Sequence, residues 1–380
     1  MSCIYFVFLS KIKFSAMSEQ IPPQWSNFYL KDVSFVNLMM RRIYNILIVA
    51  NPYDAFMLED DGRVEEKIYN EYMELGLRYP PTFTQVSTTE EAAKVLSTVD
   101  IDLVICMPGN ADNDAFDVAR AVKAEFPGIH CVVLTPFSHG ITQRIQHEDL
   151  SIFDYVFCWL GNTNLILSII KLMEDKMNID HDIREVGVQM ILLVEDSIRF
   201  YSSILPNLYG YILTQSRNFA TEALTRHDAS LRQRGRPKVV LARTYDEAWE
   251  IYQRYKDNCL GVISDVRFPI NNNVERKEKT SAKDPEAGLK LLRAIRKEDE
   301  YLPLIIESSE GDNRKKAEAE GFRFVDKNSK KMSVDLRHLL EEHMGFGDFI
   351  FRDPTTHEEV MRIHSLKELQ DNIFKIPRDS

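Results

Sequence analysis

Short apolar runs recur along the chain, separated by polar stretches in which apolar residues return at helical spacing. Ile46-Leu-Ile-Val49, Phe83-Thr-Gln-Val86, Leu103-Val-Ile-Cys106, Cys131-Val-Val-Leu134 and Tyr155-Val-Phe157 have the length and density of strands buried on both faces. Helical periodicity lies between them, over 64–75 and 115–124, and a helix over 165–177 follows the last. Ser87-Thr-Thr-Glu90 has the spacing of a capping box that opens a further helix. Strands that alternate with helices predict a parallel, doubly wound α/β sheet.

After a polar segment, 178–185, which reads as a linker, the pattern starts again. Ile191-Leu-Leu-Val194 echoes Ile46-Leu-Ile-Val49, Val239-Val-Leu241 echoes the second strand, and Leu260-Gly-Val-Ile263 the third. Leu304-Ile-Ile306 and Arg323-Phe-Val325 complete the set, and Thr244-Tyr-Asp-Glu247 repeats the capping box. The repeat is domain-sized, so it predicts a tandem duplication of one fold and not a solenoid. The second copy carries two additions. Its first helix is expected to run from Ile198 to about Leu231, bent or broken at Pro206 and Gly210, and a charged loop, Asn271 to Asp284, follows its third strand.

Composition narrows the function classes. With 44% hydrophobic and 28% charged residues the chain is of globular type, and a net charge of −11 argues against nucleic acid as a partner. The basic run Arg232 to Lys238 reads as a solvated linker. Five cysteines without Cys-x-x-Cys spacing, three of them inside apolar runs, point to reduced, packed thiols and a cytoplasmic setting. Cys3 to Leu9 is apolar but too short to span a bilayer and lacks preceding basic residues, so no membrane association is expected. Residues before Met17 read as an upstream extension, and 22–40 as an aromatic arm that covers an edge of the first unit.

Chemistry concentrates where the second set of strands ends. In an open parallel sheet the carboxyl ends of the central strands lie together and form the ligand site. Those ends deliver Glu195 and Asp196, Asp265, Ser308 and Lys327. Each alone has a dull explanation as a cap, turn or surface charge. Together they place carboxylates, a hydroxyl and an ammonium in one small space, an oxygen-rich set that suits Mg²⁺ and leaves one carboxylate to act as a nucleophile. Such a set is suited to accepting a phosphoryl group: Asp265 attacks phosphorus, the metal and Lys327 balance the oxygens, and Ser308 hydrogen-bonds the product.

These residues resemble the receiver domain of bacterial response regulators, over 188–345. Asp265-Val-Arg-Phe-Pro269 has the family's aspartate-to-proline spacing, Gly288-Leu-Lys-Leu-Leu its third-helix start, and Phe324 stands three before Lys327 as the switch aromatic. The resemblance implies two flavodoxin-like (βα)5 domains with parallel five-stranded sheets, Asp265 as phosphoacceptor, and Mg²⁺ held by Glu195, Asp196, Asp265 and the Arg267 backbone carbonyl. It also implies a histidine kinase or phosphotransfer protein as phosphate donor, and it is compatible with a homodimer. The chain is then a signalling module and not itself an enzyme, although such modules take phosphate from small donors and lose it again. The loop 271–284 is a departure from the family, and Arg267 and Glu310 flank the acceptor and the hydroxyl, where they influence phosphoryl lifetime.

The first copy, 42–178, keeps the pattern and loses the chemistry. Ala50 and Asn51 stand in place of the acidic pair, Met107 in place of the acceptor and Cys158 in place of the lysine, while Thr135 and Tyr155 remain. It reads as a pseudo-receiver with a structural or docking role. The acidic turn Glu59-Asp-Asp61 reads as the start of a helix. Residues 1–41 are then an extension and arm, and 346–380 a truncated linker toward a downstream domain. The whole layout resembles the amino-terminal part of Bacteroidetes-type phosphoenolpyruvate synthase/pyruvate phosphate dikinase-like proteins, which implies regulation of an enzymatic domain of the same polypeptide. Two other readings compete: a scaffold with no phosphorylation, and a haloacid-dehalogenase-type phosphatase, which wants an Asp-x-Asp that Asp265-Val-Arg267 lacks.

Overall fold

A computed structural model describes residues 37–56, 58, 63–108, 115–136, 150–220, 233–271, 283–345, 349–352 and 359–363. The turn at 59–61, most of the loop 271–284, the start of the arm and most of 346–380 lie outside these residues. They form two compact units. One comprises Arg41–Met177 with Ser197–Gly210, and the other Asn178–Asp196 with the chain from Tyr211 onward and the residues up to Met40.

The first unit is built on β1 (Asn45–Val49), β2 (Thr82–Val86), β3 (Leu103–Cys106), β4 (His130–Pro136) and β5 (Tyr155–Trp159). All pair in parallel, in the order β2-β1-β3-β4-β5, which is the flavodoxin-like order. The apolar runs explain the layering, because β3 is buried throughout and a strand covered on both faces has no polar side to show.

The second unit repeats this with β6 (Met190–Val194), β7 (Lys238–Ala242), β8 (Cys259–Asp265), a short antiparallel pair β9 (Phe268–Pro269) and β10 (Lys283–Asp284), then β11 (Leu304–Ser308) and β12 (Arg323–Asp326). The parallel sheet runs β7-β6-β8-β11-β12, the same order as in the first unit. Both units are therefore α/β and flavodoxin-like.

Four details depart from the expectations. The segment 178–185 is no linker: one helix, Asn164–Val186, runs through it. Its polar residues mislead because several face inward, with Asn178 and Asp182 buried beside Ile179. Lys238, fully buried on β7, lies 3.0 Å from Asp182, whose carboxylate also accepts from the backbone N–H of Met39. The helix Ile198–Ala220 is likewise unbroken, with Pro206 inside it. Apolar burial of Ile204, Leu205, Leu208 and Tyr209 outweighs the backbone bond that proline removes.

The third departure is a shift of one residue in the first capping box. Thr88, not Ser87, caps the helix Thr89–Leu96 by accepting from Glu91 N–H, whereas Thr244 caps Tyr245–Tyr255 as expected by accepting from Glu247 N–H. Finally, two short strands lie within the segment 346–380. After Gly345 ends the helix Met332–Met344 in a left-handed conformation (φ 60°), β13 (Phe349–Arg352) and β14 (Glu359–Ile363) pair antiparallel. The Arg362 guanidinium donates to the Glu341 and Glu342 carbonyls in the last turn of that helix.

Candidate functional site

Strand register brings the chemistry of the second unit together. Val194 lies beside Ser264, so the next residue, Glu195, comes level with Asp265, and Asp265 lies beside Glu307 on β11. β12 ends beside Ser308, and the Lys327 backbone N–H donates to the Ser308 carbonyl at 3.0 Å, which turns the Lys327 side chain back over the sheet end.

Lys327 is the hub. Its ammonium, almost fully buried, contacts both Glu195 and Asp265, the latter at 2.5 Å. Burial works against its charge, but Glu195, Asp265 and Glu307 outweigh burial and hold it above the ordinary lysine value. One carboxylate oxygen from each of Glu195, Asp196 and Asp265 lies within 4.8 Å of the others. Among the described residues this is the one such grouping of acidic or metal-ligating side chains.

The surroundings fit a hard divalent cation. Asp196 Oδ1 is buried without a hydrogen-bond partner, while Oδ2 lies 2.7 Å from the Lys283 ammonium. Burial raises the Asp196 carboxyl above its ordinary range, and Lys283 offsets part of that rise. An orphaned oxygen at the edge of a carboxylate cluster is what an oxygen-seeking ion satisfies.

Asp265 is held by its neighbours. Its Oδ2 accepts from the Arg267 backbone N–H at 3.1 Å. A Cβ at Gly288 would stand 1.9 Å from the Asp265 carbonyl oxygen, so the helix Ala287–Glu298 reaches the end of β8 only because that position is glycine. Ser308 is buried, and its Oγ accepts from Glu310 N–H at 3.1 Å and Asn313 Nδ2 at 2.9 Å. Phe324 is half-buried against the core, with the Arg314 guanidinium 4.8 Å from its ring centroid.

Two residues of this site were missed in the sequence. Glu307 is fully buried, and neither of its carboxyl oxygens has a hydrogen-bond partner. Burial pushes it up to about 8; Lys327 draws it down, and Glu195 and Asp265 push it up. A carboxyl inside the apolar run Leu304–Ser308 was the available signal. Lys283 gave none, because it lies in a charged loop among other lysines.

The matching positions of the first unit carry no cluster of acidic or metal-ligating side chains among the described residues. Ala50 and Met107 are buried, and Asn51 is spent locally, its Oδ1 accepting from Tyr53 and Asp54 N–H and its Nδ2 donating to Asp54. Cys158 is buried and its backbone N–H donates to Ser202 Oγ. Thr135 and Tyr155 are buried too. Cys106, Cys131, Cys158 and Cys259 are free, buried thiols, and no described helix is long and apolar enough to cross a membrane.

No family model matches the chain, and neither does any curated protein. Several solved structures are similar to it. A response regulator receiver domain protein from Clostridium thermocellum matches with 19% identity and a TM-score of 0.27 over 41% of this chain and 94% of that one. The histidine kinase ThkA–response regulator TrrA complex matches with 19% identity and a TM-score of 0.25, over 34% and 97%. A two-component system response regulator/GGDEF domain protein matches with 14% identity and a TM-score of 0.32, over 78% and 98%. At scores this low the fold rests on the strand order described above.

Proposed function

We propose that the second unit is a phosphoacceptor receiver and that the first is its degenerate, non-phosphorylated copy. The observation that carries this reading is Lys327 bridging Glu195 and Asp265 at the carboxyl ends of adjacent strands, with Asp196 Oδ1 left unpartnered beside them.

An Asp265 carboxylate oxygen forms the new P–O bond while the donor's P–N bond breaks, its electron pair going to the imidazole nitrogen of a histidine kinase or phosphotransfer protein. Glu195, Asp196, Asp265 and the Arg267 backbone carbonyl would hold Mg²⁺, which would supply charge balance for the phosphoryl oxygens. Lys327 moves its ammonium from the carboxylate to the phosphoryl group. Ser308 turns its hydroxyl from Glu310 and Asn313 to that group, and Phe324 follows it inward away from Arg314. In this reading the chain is a cytoplasmic signalling module that controls a phosphoenolpyruvate synthase-like domain of the same polypeptide.

The test is direct. With Mg²⁺ and acetyl phosphate, intact-mass analysis is expected to show one phosphoryl group on the chain, absent from Asp265→Asn and unaffected by Met107→Ala. If beryllofluoride and acetyl phosphate leave the wild-type chain unmodified and spectroscopically unchanged, the scaffold reading replaces this one.

A further inference from the structure

Each carboxylate of the cluster already has a cation of the protein's own. Lys327 serves Glu195 and Asp265, and Lys283 serves Asp196 through its Oδ2 at 2.7 Å. Lys283 is not a chance visitor on a free side chain. Its backbone is tied into the β9–β10 ladder, with Lys283 opposite Pro269 and Asp284 opposite Phe268, only a few residues beyond the acceptor Asp265. Asp284 then fixes the turn into the next helix: its Oδ1 accepts from Glu286 N–H at 2.9 Å and its Oδ2 pairs with Lys290 at 2.6 Å.

Glu307 stands beside the cluster on the neighbouring strand. It is a fully buried carboxyl, level with Asp265, and neither of its oxygens has a hydrogen-bond partner. Asp196, by contrast, offers one oxygen to Lys283 and keeps the other unpartnered.

We infer that Lys283 is an intrinsic competitor for the divalent cation at Asp196, setting how tightly the site binds metal. The inference rests on the phosphoacceptor reading and adds a regulator to the same site. A metal ion at Asp196 Oδ1 and an ammonium on Oδ2 share one negative charge, so each weakens the other. Lys283 is 42% exposed, and water can take it over once it leaves the carboxylate, which keeps the competition reversible.

The experiment is Mn²⁺ binding to the full chain, followed by the loss of the free-ion electron paramagnetic resonance signal, with no phosphoryl donor present. Lys283→Gln is expected to tighten Mn²⁺ binding by about two- to fivefold, the scale of one partly exposed ion pair. Lys283→Arg keeps the charge and is expected to bind as wild type. Lys256→Gln removes one positive charge at the opposite end of β8, where Lys256 pairs with Glu298, and is expected to change nothing. Asp196→Asn is expected to abolish the gain. Saturable, Asp196-dependent binding of equal strength in wild type and Lys283→Gln overturns the inference and leaves the metal site standing. An equal gain from Lys256→Gln also overturns it. Absence of Mn²⁺ binding from both wild type and Lys283→Gln removes the metal reading itself.

Discussion

At the scale of single residues, the site is a problem in charge balance. Removing Lys327 leaves Glu195, 1% exposed, and Asp265 facing each other without their shared ammonium. Lys327→Met is expected to cost about 3–5 kcal/mol in chemical denaturation, the cost of breaking a buried pair from one side. Glu307 behaves in the opposite sense. Its folded value of about 8 lies above its ordinary 4.5, so the folded chain keeps a proton there that the unfolded chain releases. The stability this contributes is complete below pH 4.5 and is lost as pH rises through 8. Glu307→Gln removes that slope. In metal-free buffer its melting temperature is expected to gain on wild type from pH 5 to pH 8 and to hold level above, followed by circular dichroism. That Glu195, Asp196, Asp265 and Lys327 come together was legible because strand ends of a parallel sheet converge. Glu307 was not, since nothing in a five-residue run says which of its members faces charge.

Elements were legible where periodicity and burial agree, and misread where a polar residue is buried. The parallel strands came out within a residue or two because the central ones are apolar on both faces. The helix Asn164–Val186 was cut short at Met177 because Asn178 and Asp182 look like solvent residues. They are in fact buried, and Asp182 balances Lys238 and holds the Met39 backbone. Asp182→Leu is therefore expected to destabilise the second unit by about 3 kcal/mol, while Asp182→Leu combined with Lys238→Met recovers most of that loss. Both are read in urea titrations. Gly288 sets a harder limit. A methyl group 1.9 Å from the Asp265 carbonyl oxygen must displace backbone, so Gly288→Ala is expected to lower the melting temperature and to slow phosphorylation together. An equal melting temperature for the variant would show that the helix shifts freely.

For the whole molecule, the duplication was legible and the partition of the chain was not. Sequence repeats suggest a border between 178 and 188, but Ser197–Gly210 belongs to the first compact unit. Tyr201 donates to the Val156 carbonyl, Ser202 accepts from Cys158 N–H, and Tyr209 donates to Asp175 at 2.8 Å. Periodicity marks that helix as amphipathic without saying which sheet receives it. Residues 188–345 produced alone are expected to aggregate, because Ile204, Leu205 and Leu208 lose their cover. Light scattering against 37–363 checks this.

The same helix has a consequence for descent. A recombination breakpoint between the codons for Met177 and Ser197 hands on neither folded body whole. Exchange within that segment therefore separates Ser197–Gly210 from the Arg41–Met177 body to which it belongs.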